Sequence, residues 1–199
     1  MEYSGKSLTF VFFGIVGSGK GTQVKLLTDY LMGKDGRECV YAGTGDGFRE
    51  IVNSGSYAGH LLTEKMKRGE LIEDFFANSI IAHTLSNNIS PDKNLILDGY
   101  PRTVEQSKVF ESMMRFFKHE DIKIIYIEVG KDEALKRNLL RGRNDDTPEG
   151  IAKRFDEYVN NVVPAMNYFK GKSGYTIFKI NGEQSVENVH KDIIKSLGF

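Results

Sequence analysis

The sequence predicts a three-layer α/β fold on a five-stranded parallel sheet. Three observations predict it. Short apolar runs alternate with helix-patterned stretches along the chain. The runs are apolar throughout, as strands covered on both faces are. A glycine-rich turn joins the first run to the first helical stretch, the arrangement of an open sheet with sites at its strand ends. The 199 residues amount to one domain, and a chain of this size buries about 70% of its unfolded surface without a staple.

Leu8–Phe13 is the first strand. Gln23–Met32 reads as a helix with Val24, Leu27 and Leu31 on one face and Gly33 just past its end. Glu38–Tyr41, Asn94–Asp98, Lys123–Val129 and Tyr175–Ile180 supply the other strands. Helical stretches lie at Phe75–Leu85, Val104–Phe117, Asp132–Leu140, Pro148–Phe169 and Val186–Leu197. The longest of these has clear start signals. Thr147 suits the N-cap, Pro148 the first turn, and Glu149 the positive end of the dipole. Its apolar residues Ile151, Phe155, Tyr158, Val162, Met166 and Phe169 recur at helical spacing, and Pro164 predicts a kink. Residues 46–72 break the alternation with two helical pieces where a third strand is due. The organisation expected is a single domain: a core of residues 1–42, 73–140 and 147–199, an inserted lobe of about residues 43–72, and a short link at about 141–146.

Composition excludes several classes. Lys and Arg number 27, as do Asp and Glu, so no bulk positive potential draws the chain to nucleic acid. One cysteine forms no disulfide framework and no cysteine zinc site; Cys39 reads as a small core residue. His60, His83, His119 and His190 show no ligand spacing. The longest apolar stretch near the start lies within Leu8–Val16, well short of the ~20 residues of a membrane span. No basic leader precedes it. A cytoplasmic, soluble protein, monomeric or a small homo-oligomer, is expected, with neither nucleic acid nor membrane as partner.

Glycine is enriched, at 21 of 199 residues, and its placement carries the chemistry. Gly14-Ile15-Val16-Gly17-Ser18-Gly19-Lys20-Gly21-Thr22 follows the first strand and opens the first helix. Such a turn aims backbone N–H groups at an anion, and the helix N-terminus adds partial positive charge. Lys20 would reach the β- and γ-phosphates and a hydroxyl would serve a metal; here Gly21 holds the usual hydroxyl position and Thr22 follows it. Leu95-Ile96-Leu97-Asp98 is an apolar strand ending in a carboxylate. Asp98 then lies beside the phosphate loop and could hold Mg²⁺ through water; the alternative is a carboxylate capping the turn before Gly99. Arg49, Arg102, Arg137, Arg141, Arg143 and Arg154 lie in or beside loops that follow strands. Singly each reads as a surface residue. Together, at one edge of the sheet, they focus positive potential on a polyanion.

Taken together, these motifs resemble the adenylate kinase family of nucleoside monophosphate kinases, a P-loop fold. The loop from Gly14 to Gln23 is similar to the family's G-x-P-G-x-G-K-G-T-Q, with Val16 for proline. Thr44-Gly45-Asp46 with Arg49 resembles S/T-G-D-x-x-R, and Gly69-Glu70-Leu71-Ile72 the end of the monophosphate-binding lobe. Asp98-Gly99-Tyr100-Pro101-Arg102-Thr103 with Gln106 resembles D-G-F-P-R-T-x-x-Q. Arg141, Arg143-Asn144-Asp145-Asp146 and Arg154 are similar to the arginines bordering the lid, and Asn181-Gly182-Glu183-Gln184 to the loop whose backbone meets the adenine.

The resemblance implies reversible transfer between ATP and AMP, giving two ADP, with Mg²⁺ bound alongside ATP. Gly17, Ser18, Gly19, Lys20, Gly21, Thr22, Arg137, Arg141 and Gln184 would bind ATP. The AMP side would comprise Thr44, Arg49, Glu70, Leu71, Ile72, Gly99, Tyr100, Pro101, Arg102, Gln106, Arg143 and Arg154. Lys20, Arg102, Arg141, Arg143 and Arg154 would be catalytic. Asp98 would hold Mg²⁺ through water, with Thr22 and Asp46 as further candidates, and no zinc site is expected. The nucleophile is already a dianion, so positioning and charge stabilisation suffice without a general base. One departure stands out. Only Gly142 separates Arg141 from Arg143, so the lid is nearly absent. Two alternatives remain open: a UMP/CMP kinase on the same fold, disfavoured by Thr103 and Gln106, and a feeble nucleotide-binding module.

Overall fold

The computed structural model describes residues 6–141 and 147–199. The expected link at 142–146, with Arg143, lies outside the described residues, as does the side chain of Arg141.

Five strands form one sheet: β1 (Thr9–Phe13), β2 (Cys39–Gly43), β3 (Asn94–Asp98), β4 (Ile122–Glu128) and β5 (Tyr175–Asn181). Their order is β2-β3-β1-β4-β5, and every pair is parallel. The central strands are apolar because both faces are covered; all five residues of β1 are buried. Edge strand β5 is largely half-buried or exposed, since it has a neighbour on one side only.

Helices α1 (Lys20–Asp35) and α9 (Val186–Leu197) cover one face. There Val24, Leu27 and Leu31 pack with Phe10, Phe12, Ile96, Ile125 and Ile193, so the stripe read from the sequence is the buried one. The other face carries α4 (Asp74–Asn88) and α5 (Val104–Phe116). It buries Ile81, Leu85, Phe110 and Phe169 against Val11, Leu95, Leu97 and Ile124. The sequence between β2 and α4 forms α2 (Thr44–Asn53) and α3 (Tyr57–Arg68), the two pieces of the lobe. Two further helices, α6 (Lys131–Arg141) and α7 (Pro148–Glu157), pack Ala134, Ile151 and Phe155 with Ile15 of the loop after β1.

Two expectations need correction. The first helix begins at Lys20 and runs through Gly33 to Asp35. It ends at Gly36, whose φ of 68° makes the left-handed cap that glycine adopts without penalty; Gly33 is an interior residue. The long helix expected over Pro148–Phe169 starts as read, with the Thr147 side chain accepting from Gly150 N–H. It then widens into a π-helical turn at Tyr158–Val162 before α8 (Val163–Asn167). Pro164 has no N–H to continue the i→i−4 ladder, and the wider turn immediately precedes it. No helix among the described residues is long and apolar enough to cross a membrane.

Candidate functional site

Parallel pairing puts the carboxyl ends of β1, β2 and β3 side by side: Phe12 pairs with Asp98, and Asp98 with Gly43. The loops leaving these ends, with α2, α3, α6 and α7, enclose a cleft of about 840 Å³.

One wall is the glycine-rich loop and the start of α1. Gly17, Gly19, Lys20, Gly21 and Thr22 line it. Gly17 and Gly19 have φ of 86° and 89°, backbone that other L-residues rarely adopt. Lys20 Nζ donates to Gly14 O at 2.7 Å and to Ile15 O at 3.0 Å, which draws the ammonium back along its own loop. Ser18 does not face the cleft. It is buried, and its N–H is used by Ile15 O at 3.1 Å, closing the turn.

The opposite wall comes from the lobe and the loop after β3. Arg49, Glu70, Leu71, Ile72, Asp98, Gly99, Pro101, Arg102 and Arg154 line it. Arg102 Nε donates to Gly99 O at 2.8 Å. Burial lowers the Arg102 pKa while Asp98 opposes that shift; a guanidinium stays charged regardless. Arg154 Nη2 reaches Met66 O at 3.4 Å. The lobe meets α7 backbone to backbone, since a Cβ on Gly69 would fall 2.1 Å from Gly150 O. Arg137 lines the far end and donates from Nη1 to Gly182 O at 2.9 Å.

Several expected residues stand behind the wall rather than on it. Thr44 is buried and donates to Gly99 O at 2.9 Å. Tyr100 is buried with its hydroxyl donating to Asn78 Oδ1 at 2.7 Å, and burial raises its pKa. Gln106 is 2% exposed. Its Oε1 accepts from Arg102 N–H at 2.7 Å and its Nε2 donates to Asp74 Oδ1 at 2.8 Å. The amide, which the resemblance assigns to the AMP side, is thus engaged at both ends by the protein. Asp46 pairs with Arg49 and is absent from the cleft wall. Gln184 bonds Asn181 O at 3.0 Å and Asp192 Oδ2 at 2.8 Å, away from the cleft.

Sequence reasoning missed Lys25, Tyr41, Phe48, Met66, Glu157 and Tyr158, which also line it. Lys25 could have been found, because it lies five residues after Lys20, on the second turn of α1. Tyr158 could not: its hydroxyl donates to Tyr126 Oη at 2.9 Å, a long-range contact with no local pattern.

The family model described as adenylate kinase matches residues 12–174. An adenylate kinase of Thermosipho africanus is 32% identical over 94% of this chain and 98% of its own. One from Corynebacterium urealyticum is 32% identical over 96% and 99%, and one from Oenococcus oeni is 30% identical over 90% and 93%. With the phosphate loop, the Asp98 strand end and the arginine wall facing one cleft, and with matches along nearly the whole length, this chain belongs to the adenylate kinase family.

Proposed function

We propose how the cleft performs the reaction of the family, ATP + AMP = 2 ADP. The observation that carries the reading is that Lys20 and Asp98 face the same 840 Å³ space as Arg49, Arg102 and Arg154. The glycine loop and Lys20 take the donor phosphates, where backbone N–H groups and a helix start favour anions. Arg49 and Arg102 take the acceptor phosphate, each able to bind it bidentately. Arg154 lies beside both and balances charge on the group in transfer, joined in sequence by Arg141 and Arg143. Arg137 stands where the donor base enters. The surface left for the acceptor base is Glu70, Leu71 and Ile72 with Met66 and Phe48. Gln106 and Thr44 shape that side from behind by fixing Arg102 and Gly99, and Tyr100 joins them through Asn78 and the Gln106 carbonyl.

The oxygen donors suit Mg²⁺: Asp98 carries a carboxylate and Thr22 a hydroxyl, both on the cleft wall, and hard oxygen ligands are what this cation takes. When bound with ATP, Mg²⁺ neutralises charge on the phosphate oxygens. Among the described residues no three His, Cys, Asp or Glu side chains cluster, so the nucleotide's own phosphates would complete the shell. Asp46 is less suited, because Arg49 already occupies its carboxylate.

A coupled assay of ADP formation with AMP, UMP, CMP and GMP as acceptors tests the reading. AMP should be preferred. Preference for UMP or CMP would move the chain to the pyrimidine-specific alternative, and no turnover with any acceptor would leave only nucleotide binding.

A further inference from the structure

We propose that Asn138 is a positioning residue for the phosphate loop, clamping the Val16–Gly17 peptide so that the Gly17 N–H is turned away from α6 and toward the donor phosphates. The proposal rests on the reading of this loop as the ATP-phosphate site.

The loop makes a tight turn at Ile15–Ser18, closed by Ser18 N–H to Ile15 O at 3.1 Å. Gly17, the third residue, has φ of 86°. Among the described residues the only non-glycine ones with positive φ are Lys118 and Asp121, so Val16 has negative φ and the turn is type II. Types I and II differ by a flip of the central peptide, which here is Val16–Gly17. That peptide is planar and trans, so its C=O and N–H point in opposite directions. Whatever holds Val16 O therefore decides where the Gly17 N–H goes.

Asn138 holds it. This residue sits on α6 with no exposure. Its Nδ2 donates one hydrogen to Val16 O at 2.9 Å, across 122 positions of sequence, and the other to Ala134 O at 2.8 Å. Gly17 packs on the same amide: a Cβ there would lie 2.6 Å from Asn138 Nδ2 and 2.6 Å from Ala134 O. So α6 demands glycine at 17 both for its φ and for its closeness. Asn138 Oδ1 is buried with no partner among the described residues. That is a cost an apolar residue would avoid, and its retention is explained if the donor end of the amide has a task.

Steady-state kinetics on Asn138→Leu test this, alongside thermal melts and calorimetric titration with a non-hydrolysable ATP analogue. Losing the clamp should raise KM for ATP about five- to tenfold, the weight of one or so hydrogen bonds. KM for AMP should stay within about twofold, because the acceptor wall does not touch Asn138. Val16→Pro added to Asn138→Leu should recover part of the ATP affinity, since a Pro-Gly pair favours the type II turn. If Asn138→Leu does not fold, Asn138→Ser, which keeps one donor, is measured in the same way with a smaller rise expected. An unchanged KM for ATP would overturn the proposal. So would ATP and AMP constants rising together with a lower Tm, or no recovery from Val16→Pro. A wild-type protein that does not bind the analogue would instead remove the donor-site reading itself.

Discussion

At the end of the cleft proposed for the donor, the glycine loop has its Val16 carbonyl held by a buried partner. At the end proposed for the acceptor, Arg102 is tied to Gly99 O in the loop after β3, while the lobe offers long side chains on exposed helices. Asn138, which grips the phosphate loop, has no exposure, whereas Arg49 and Asp46 form an ion pair about half-exposed on α2. On α3 and the chain after it, Lys65 pairs with Glu73 and Arg68 with Glu70, again near the surface. The difference teaches a division of labour. Backbone N–H groups cannot reorient without moving the chain, so the donor site is preorganised, and preorganised dipoles avoid reorganisation during reaction. Arginines on a small lobe can follow an incoming phosphate, and lobes of this kind are elements that close. Exposed ion pairs cost little to exchange.

The strongest way to break the comparison is Lys20→Met. Lys20 sits in the rigid wall, so its loss cannot be made good by neighbours, and kcat should fall at least about a hundredfold. The fold should persist, because the side chain is no part of the apolar core. A circular dichroism melt beside the kinetic assay checks both halves; near-normal turnover would remove Lys20 from the mechanism.

Gln106→Ala probes one of the buried props at the end proposed for the acceptor. It removes the acceptor that Arg102 N–H uses at 2.7 Å and the donor that Asp74 Oδ1 accepts from at 2.8 Å, leaving that carboxylate with the Thr103 hydroxyl. KM for AMP should rise about tenfold with a smaller change for ATP, and Tm should drop, as expected when buried polar groups lose partners. Equal effects on both substrates would show that the two ends are not separable.

The short link at 141–146 sharpens the comparison from another side. One glycine between Arg141 and Arg143 can bring two guanidinium groups together but cannot cover a triphosphate. Phosphate release from ATP without AMP should exceed that of an adenylate kinase with a longer link at this place under identical conditions, since closing elements exclude competing water. Equal release would mean another element shields the donor site.

Away from the cleft, His119 tests whether the amino end of the sheet contributes its own pH dependence. It is buried and bonds Thr9 Oγ1 at 2.7 Å, and burial lowers its pKa. The folded state thus binds fewer protons than the unfolded one below the unfolded pKa of about 6.5. Stability should therefore fall as pH drops through that value, by at most about 1.4 kcal/mol per pH unit for one proton, and level off beneath the folded pKa. His190 is lowered by burial too and adds in the same direction. Denaturation of His119→Asn from about pH 7 to 5 should give a flatter profile than wild type; an identical slope would assign the dependence elsewhere.

The smallest effect is expected from Asp46→Asn. It releases Arg49 from a surface pair worth less than about 1 kcal/mol. Stability should barely change, and KM for AMP should move less than about threefold. A large rise would show that Asp46 holds Arg49 in its working position and that this end is more rigid than its exposure implies.

How much was legible in the sequence depended on whether the determinant was local. Strand β3 and helix α9 fall where the sequence places them, Asn94–Asp98 and Val186–Leu197, because apolar runs and helical spacing report burial directly. Thr147 caps as expected because capping involves residues three apart. The glycine loop, Asp98, Arg49 and Arg102 line the cleft, and each stands in a short motif that the sequence displays. Helix ends were less legible: Gly33 and Gly36 are both plausible stops, and only the continued bonding of the helix chooses between them.

The sequence by itself determined the layering, the five strands and the glycine-rich loop between the first strand and helix, since local apolar period and motif spacing specify these. Only the tertiary structure decided which motif residues face the cleft. Gln106, Thr44 and Tyr100 stand in strong motifs, yet each is turned inward to a polar partner, because a buried polar side chain must be satisfied by whatever the fold brings near it. Asn138 carries no motif at all, and its bond to Val16 spans 122 residues. Such a contact exists only after β1 and β4 have paired and brought α6 against the loop, and nothing in the local spacing of either segment encodes it.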